Sequence, residues 1–333
     1  MIKKNLNNNL ENANILVIGG AGFIGSFVVT ELLKEPVKSI VIYDNFARGK
    51  KNYLNEQLKD ARCSIYPIGG DIREIDILNK AMENVDYVVC LAAMWLLHCK
   101  DFPRTAFDVN IGGTFNVLEA CVKNNVKKLI WSSSASVYGD AVELPMTESH
   151  PFNNKNFYGA SKIAGEAMCT AFNDRYGLEV IGLRYMNVYG PHQDQTAAYT
   201  GVVPIMLNKI EANEAPVING DGSQAYDFIY VEDVATCNVQ ALKSELKHGF
   251  YNVGTEIQTS IKELCETILE LKSSNLEVQY KPYSEDDARA LVQNRIGSKE
   301  NAQKDLDFLY KYDLKSGLKE LINWRIQTGI DKK

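Results

Sequence analysis

Tyr158 and Lys162 stand four residues apart in Phe157-Tyr158-Gly159-Ala160-Ser161-Lys162, and the run Ser132-Ser133-Ser134 lies upstream of them. Residues at i and i+4 share one face of a helix. An ammonium beside a phenol favours the phenolate and lowers a pKa otherwise near about 10. The product is a base suited to taking a proton from a substrate hydroxyl near neutral pH. Tyr and Lys are common, and a solvated helix face can carry the same pair. The rest of the chain decides between the two readings.

Ala13 to Ile18 reads as a short buried strand, followed by Gly19-Gly20-Ala21-Gly22-Phe23-Ile24-Gly25 and an amphipathic helix to about Lys34. Gly19, Gly22 and Gly25 allow a tight turn and close backbone approach to a pyrophosphate resting on the helix N-terminus, around Phe23 and Ile24. The strand before and the helix after are the context such a turn requires. A second strand, Ser39 to Tyr43, ends in Asp44, followed by Asn45. Asp44 is placed to accept hydrogen bonds from adenosine ribose hydroxyls. Its charge would repel a 2′-phosphate, which predicts NAD over NADP, while Arg48 nearby pulls the other way. In Gly70-Asp71-Ile72, Asp71 is placed to accept from the adenine amino group. Leu91-Ala92-Ala93 is small enough to pass beneath a cofactor.

The 333 residues are 45% hydrophobic, enough for a large core and one or two domains. A net charge of −6 argues against a nucleic-acid partner, which needs a basic footprint. No apolar run approaches the roughly 20 residues of a membrane span. Residues 1–12 are polar, Asn-rich and without a hydrophobic signal core, and read as a frayed tail. Seven cysteines are dispersed singly, which fits a reducing cytoplasm and neither disulfides nor a metal site.

Strand-like runs at 13–18, 39–43, 63–68, 87–91, 127–132 and 179–184 alternate with helical ones. This predicts an α/β fold: a Rossmann-type doubly wound parallel sheet with a smaller C-terminal substrate-binding lobe. After Arg184 the pattern loosens into a loop-rich stretch containing Pro191, Pro204 and Pro216. Short strands follow near Phe228 to Val231 and Phe250 to Val253, with helices over 260–272, 298–309 and 314–325. The cofactor domain is expected over 13–185 with returning segments near 227–258. The substrate lobe is expected over 186–226 and 259–333.

With these residues in hand, the chain resembles the extended short-chain dehydrogenases/reductases, in particular the NAD-dependent nucleotide-sugar epimerase/dehydratase family. Nine motifs in order carry the resemblance: the glycine turn, Tyr43-Asp44-Asn45, Gly70-Asp71-Ile72-Arg73, Leu91-Ala92-Ala93, Asn110-Ile111-Gly112-Gly113-Thr114, Ser132 to Gly139, Tyr158 to Lys162, Arg184 to Pro191, and Gly220-Asp221-Gly222-Ser223-Gln224. The resemblance implies that Ser134 and Tyr158 flank the sugar hydroxyl and that Lys162 binds nicotinamide ribose and tunes Tyr158. It implies that Asn110 supports the lysine, that Ser132 and Tyr185 border the cofactor, and that Asn187 contacts the substrate phosphates. Ser136 and Val203 are implied substrate contacts, and Met94-Trp95-Leu96-Leu97 borders either the sugar or only the core. Helices around 105–123 and 157–175 resemble the pair that builds a four-helix homodimer interface, or simply pack on the sheet.

Dehydratases on this scaffold carry an acidic pair after the catalytic Ser/Thr, where this chain has Ala135 and Ser136. Neither exchanges a proton near neutral pH. The epimerase–reductases use a cysteine at the Ser136 place with a downstream histidine; His192 is present and the cysteine is not. Redox at one carbon remains. The expectation is a nucleotide-sugar 4-epimerase passing through a transient 4-keto sugar. The alternatives are a C4 dehydrogenase releasing that ketone and a non-catalytic NAD-binding sensor or scaffold. Where UDP-sugar epimerases often have arginine before Asp-Phe, this chain has Tyr226-Asp227-Phe228. An arginine there would clamp the diphosphate bidentately, so Arg289 or Arg295 is expected to supply the clamp. The nucleotide is expected to be UDP, with GDP or CDP as alternatives.

Overall fold

Short runs form β1 (Asn14–Ile18), β2 (Ser39–Tyr43), β3 (Cys63–Ile65), β4 (Tyr87–Cys90), β5 (Lys128–Ser134) and β6 (Glu179–Tyr185), mostly apolar except in β3 and β5, which are more polar. The computed structural model describes residues 10–194, 201–283 and 292–330. A seventh strand, His248–Val253, pairs with β6, and the parallel sheet runs His248–Val253, β6, β5, β4, β1, β2, β3. Every residue of β4 and all but the first of β1 are buried, as a sheet covered on both faces requires. Alternate side chains enter different cores: Ile15 and Val17 pack with Val28 and Leu32, whereas Leu16 and Ile18 pack with Val117 and Leu118. This is the expected doubly wound sheet.

Strand order reverses between β1 and β4, so a crevice opens at their C-terminal ends. The glycine turn after β1, Leu91-Ala92-Ala93 after β4 and the serine run at the end of β5 meet there. The expected strand 63–68 stops at Ile65, because Pro67 has no N–H to give the ladder and Gly69 and Gly70 turn away at φ +75° and +112°. β5 runs further than expected and takes the whole serine run into the sheet. Of the expected tail, residues 1–9 lie outside the described residues. Leu10 is buried and the Asn12 N–H donates to Pro36 O at 3.0 Å.

A smaller core built around Tyr189, Leu207, Phe228, Leu264 and Leu321 lies beyond β6. Short strands serve it: Asn187–Tyr189 pairs with Phe228–Tyr230, and Ala225–Tyr226 lies between Thr259–Ser260 and Asn294–Arg295. The helices Val202–Glu211, Ile261–Leu271 and Leu314–Thr328 cover it. No helix among the described residues is long and apolar enough to cross a membrane.

Candidate active site

Ser132, Ser133 and Ser134 pair in register with Leu183, Arg184 and Tyr185 of β6. The helix Phe157–Tyr176 packs against this strand. Asn156 starts the helix by accepting from the Gly159 N–H at 2.8 Å, and Gly177 ends it in the left-handed conformation. Gly165 lets the helix come close, since a Cβ there would lie 2.3 Å from the Trp131 indole.

Tyr158 and Lys162 emerge from the first turns of this helix over the strand end. The Ser134 hydroxyl lies close enough to the Tyr158 phenol to favour its ionised form, and Ser134 Oγ accepts from the Ser136 N–H at 3.1 Å. Lys162 Nζ donates to Ser132 O at 2.6 Å and lies 5.7 Å from the Tyr158 ring centre. Burial pushes the Lys162 ammonium down to about 8 and the Tyr158 phenol up to about 12. Burial therefore outweighs the phenolate-favouring effect read from the Tyr158–Lys162 spacing. The opposing influences are the Ser134 hydroxyl and, as the cation, Arg295.

Asn110 lies on a π-helical segment, Phe107–Gly113, a local widening that recurs at functional sites. Its Oδ1 accepts from the Met94 N–H at 2.7 Å, and its Nδ2 donates to Met94 O at 2.9 Å and to Ser161 Oγ at 3.1 Å. It thereby ties the loop after β4 to the neighbour of Lys162.

The glycine turn closes only with glycine at two of its places. Gly19 has φ +79°, and a Cβ on Gly25 would fall 2.2 Å from Gly19 O. Helix α1 (Phe23–Leu33) then starts with no side-chain cap and no acidic residue in its first turn. Its leading N–H groups are left to an anion, which fits a pyrophosphate. Asp44 accepts from the Ala21 N–H at 2.9 Å and the Phe46 N–H at 2.8 Å. One bond per oxygen leaves lone pairs for two ribose hydroxyls. Asp71 is more heavily engaged: Arg73 holds it through Nε at 3.0 Å and Nη2 at 2.7 Å, and this pairing lowers its pKa. Asn45 Nδ2 reaches the same carboxylate at 3.4 Å.

One cleft of about 900 Å³ joins these parts. Gly19, Gly22, Phe23, Ile24, Gly25, Arg48, Leu91, Ala93, Ser132, Tyr158, Lys162 and Tyr185 line it on the sheet side. Trp95, Asn187, Val203, Tyr226 and Arg295 also line it. Asp44, Asn45, Asp71, Ile72, Ala92, Asn110, Met94, Ser134 and Ser136 are not among its lining residues. Arg289 lies outside the described residues. Arg48 places its guanidinium 4.5 Å from the Trp95 ring and 3.5 Å from Asp194, bridging the segments after β2, β4 and β6.

Arg295 stands opposite Tyr226 in parallel pairing, which puts both side chains on one face. The Tyr226 hydroxyl is spent on Val292 O at 2.8 Å. The buried Arg295 Nε has no partner among the described residues, and burial pulls the guanidinium pKa down. A cation so placed calls for an anion in the cleft.

Several cleft residues escaped the sequence reading, among them Tyr53, Ile218, Ile261 and Tyr283. Nothing in their local pattern marks them, although Gly220-Asp221-Gly222 signals the turn beside Ile218. His192 stacks on Tyr53 at 4.1 Å and bonds Ser26 Oγ through Nδ1 at 2.8 Å, joining α1 to the small lobe. Burial lowers its pKa from 6.5 to about 4. The neutral ring is the one that fits, so its contribution to stability is full above 6.5 and falls away as pH drops from 6.5 through about 4. His192→Gln is expected to flatten the melting-temperature profile over that window; a profile identical to wild type would contradict this.

The same architecture occurs in solved enzymes. UDP-N-acetylglucosamine 4-epimerase from Methanobrevibacter ruminantium, in complex with UDP-N-acetylmuramic acid, is 32% identical over 96% of this chain and 99% of its own, with a TM-score of 0.88. UDP-glucose 4-epimerase from Thermotoga maritima, with UDP-glucose, is 31% identical over 95% and 99%, with a TM-score of 0.85. In sequence, UDP-glucose 4-epimerase of Lacticaseibacillus casei is 31% identical over 90% of this chain and 92% of its own. The model of the NAD dependent epimerase/dehydratase family matches residues 15–254, and the chain belongs to that family as an NAD-dependent enzyme of the short-chain dehydrogenase/reductase type.

Proposed function

We propose that this enzyme is a nucleotide-sugar 4-epimerase. The observation that carries the reading is Tyr158 and Lys162 lining the cleft beside Ser134 at the end of β5, followed by Ala135 and Ser136, which bring no second acid or base. When bound, NAD supplies the hydride acceptor and later donor at C4, together with a cationic nicotinamide ring. Tyr158 takes the C4 hydroxyl proton, with the Ser134 hydroxyl holding that oxygen. Lys162, anchored on Ser132 O, holds the nicotinamide ribose. After the transient ketone has turned in the cleft, Tyr158 returns the proton to oxygen. Dehydration at C5 and C6 would need a further acid and base that Ala135 and Ser136 lack.

Arg295 is the diphosphate clamp in this reading, taking the place that arginine before Asp-Phe often has. Two donors on a planar fork suit a diphosphate, and Asn187 adds an amide. The apolar wall at Ile218 and Ile261 suits a flat base, and UDP is the nucleotide supported by the relatives. The cofactor part comprises 13–185 with returning segments near 227–258, and the substrate lobe 186–226 and 259–333. Phe107, Phe115 and Phe157 are exposed on the helical layer proposed as a homodimer face. A sedimentation mass of one chain would remove the dimer from the proposal.

Asp44 sets the cofactor preference. A 2′-phosphate beside a carboxylate suffers repulsion and desolvation, so NAD should bind more tightly than NADP. Asp44→Ala should narrow the gap. Calorimetric dissociation constants for both cofactors check it, and equal or tighter NADP binding by the wild type would refute the assignment. Incubation with UDP-, GDP- and CDP-sugars, followed by NMR of products, tests the proposed activity itself.

A further inference from the structure

Three consecutive strand residues meet three helix positions spaced four apart. Ser132 gives its carbonyl to Lys162, Ser134 stands beside Tyr158, and between them Ser133 Oγ donates to Glu166 Oε1 at 2.6 Å. Tyr158, Lys162 and Glu166 lie along one face of the same helix. Glu166 is 4% exposed, Ser133 2% and Arg184 4%. Arg184, opposite Ser133 on β6, holds the carboxylate through Nε at 2.8 Å and Nη2 at 2.7 Å. Its Nη1 donates to the Tyr138 hydroxyl at 2.7 Å and to Glu148 O at 2.9 Å, and Tyr138 donates to Asn252 Oδ1 at 2.7 Å.

We infer that Glu166 is a positioning residue for Lys162 and Tyr158, acting through its hydrogen bond to Ser133. A buried ion pair adds little net stability compared with apolar packing, whereas its directional bonds fix one arrangement. Here the arrangement fixed is the slide of the helix along β5. Gly165, with no room for a Cβ beside Trp131, fixes the separation of helix and strand. Glu166 fixes the remaining coordinate. A shift along it would move Lys162 Nζ off Ser132 O and the phenol off Ser134 together. A misplacement of about 1 Å at a reacting group costs on the order of 100-fold in rate.

Ser133→Ala is the test, because the bidentate Arg184 pair to Glu166 survives it. The kinetic half rests on the proposed epimerase reading, so Tyr158→Phe is the control and Lys162 is read separately without substrate. In the NAD-bound protein, Ser133→Ala is expected to lower kcat by about 10- to 100-fold with KM little changed. Ser133→Thr, which returns the hydroxyl, is expected to restore it, and Glu166→Gln to behave as Ser133→Ala does. By ¹⁵N-lysine NMR, the Lys162 ammonium protons should lose exchange protection in Ser133→Ala while the amides of β1 and β4 keep theirs. Wild-type kcat, or unchanged Lys162 protection, would overturn the inference. So would a parallel fall of kcat, KM and melting temperature that threonine does not reverse, which would mark Glu166 as part of the fold alone. Silence of Tyr158→Phe would strike the proposed activity, and the Lys162 exchange would still decide the role of Glu166.

Discussion

Tyr158→Phe is expected to cost about 10²–10⁴-fold in turnover of a nucleotide sugar, the usual worth of a positioned general base. Only the hydroxyl is removed, and the ring keeps its place at the start of the helix Phe157–Tyr176. The Ser134 hydroxyl keeps the Ser136 N–H as its donor, so little stability is lost. Lys162 keeps Ser132 O, since that bond does not pass through Tyr158. NAD content and melting temperature should therefore stay close to wild type while turnover collapses. Stopped-flow absorbance of the reduced cofactor on mixing with substrate reads the step directly. A variant that turns over at the wild-type rate would remove Tyr158 from the mechanism.

Arg295→Met should weaken substrate binding more than it slows turnover. Removing one partner of a buried, hydrogen-bonded charge pair costs about 2–5 kcal/mol, so the Kd for a free nucleoside diphosphate should rise by about 30-fold or more. Arg295→Lys should fall between, because a single ammonium cannot make two parallel bonds. Tyr226 offers no substitute, with its hydroxyl already on Val292 O. Calorimetry with UDP and with uridine separates diphosphate from base: the loss should appear with UDP and not with uridine. An unchanged Kd for UDP would place the clamp elsewhere.

The strands of the cofactor half were legible because a sheet buried on both faces writes itself as continuous apolar runs, as in Ile15 to Ile18 of β1 and Tyr87 to Cys90 of β4. The glycine turn was legible because two of its glycines occupy places where a Cβ meets backbone. Tyr158 and Lys162 were legible from spacing, but the direction of the Tyr158 pKa was not. Spacing reports neighbours on one helix and is blind to burial, which here dominates. Glu166 repeats the same spacing and was passed over, because its partners Ser133 and Arg184 come from two other elements. Arg295 could be placed opposite Tyr226 only from strand pairing across 69 positions of chain. The Tyr53–His192 stack likewise joins residues 139 positions apart. The end of β3 at Ile65 was there to be read in Pro67.

In a 4-epimerase, hydride returns to the carbon it left. Incubation of the purified, NAD-loaded enzyme with a panel of UDP-hexoses in D₂O, without added oxidant, followed by mass spectrometry and NMR of the products, tests it most directly. The expected product is a C4 epimer of unchanged mass, formed over many turnovers per enzyme, with no deuterium at C5 and no accumulated NADH. A product lighter by one water would contradict the reading of Ala135 and Ser136. A released 4-keto sugar with one NADH per product would contradict epimerisation, making the enzyme a C4 dehydrogenase that works through the same Ser134, Tyr158 and Lys162.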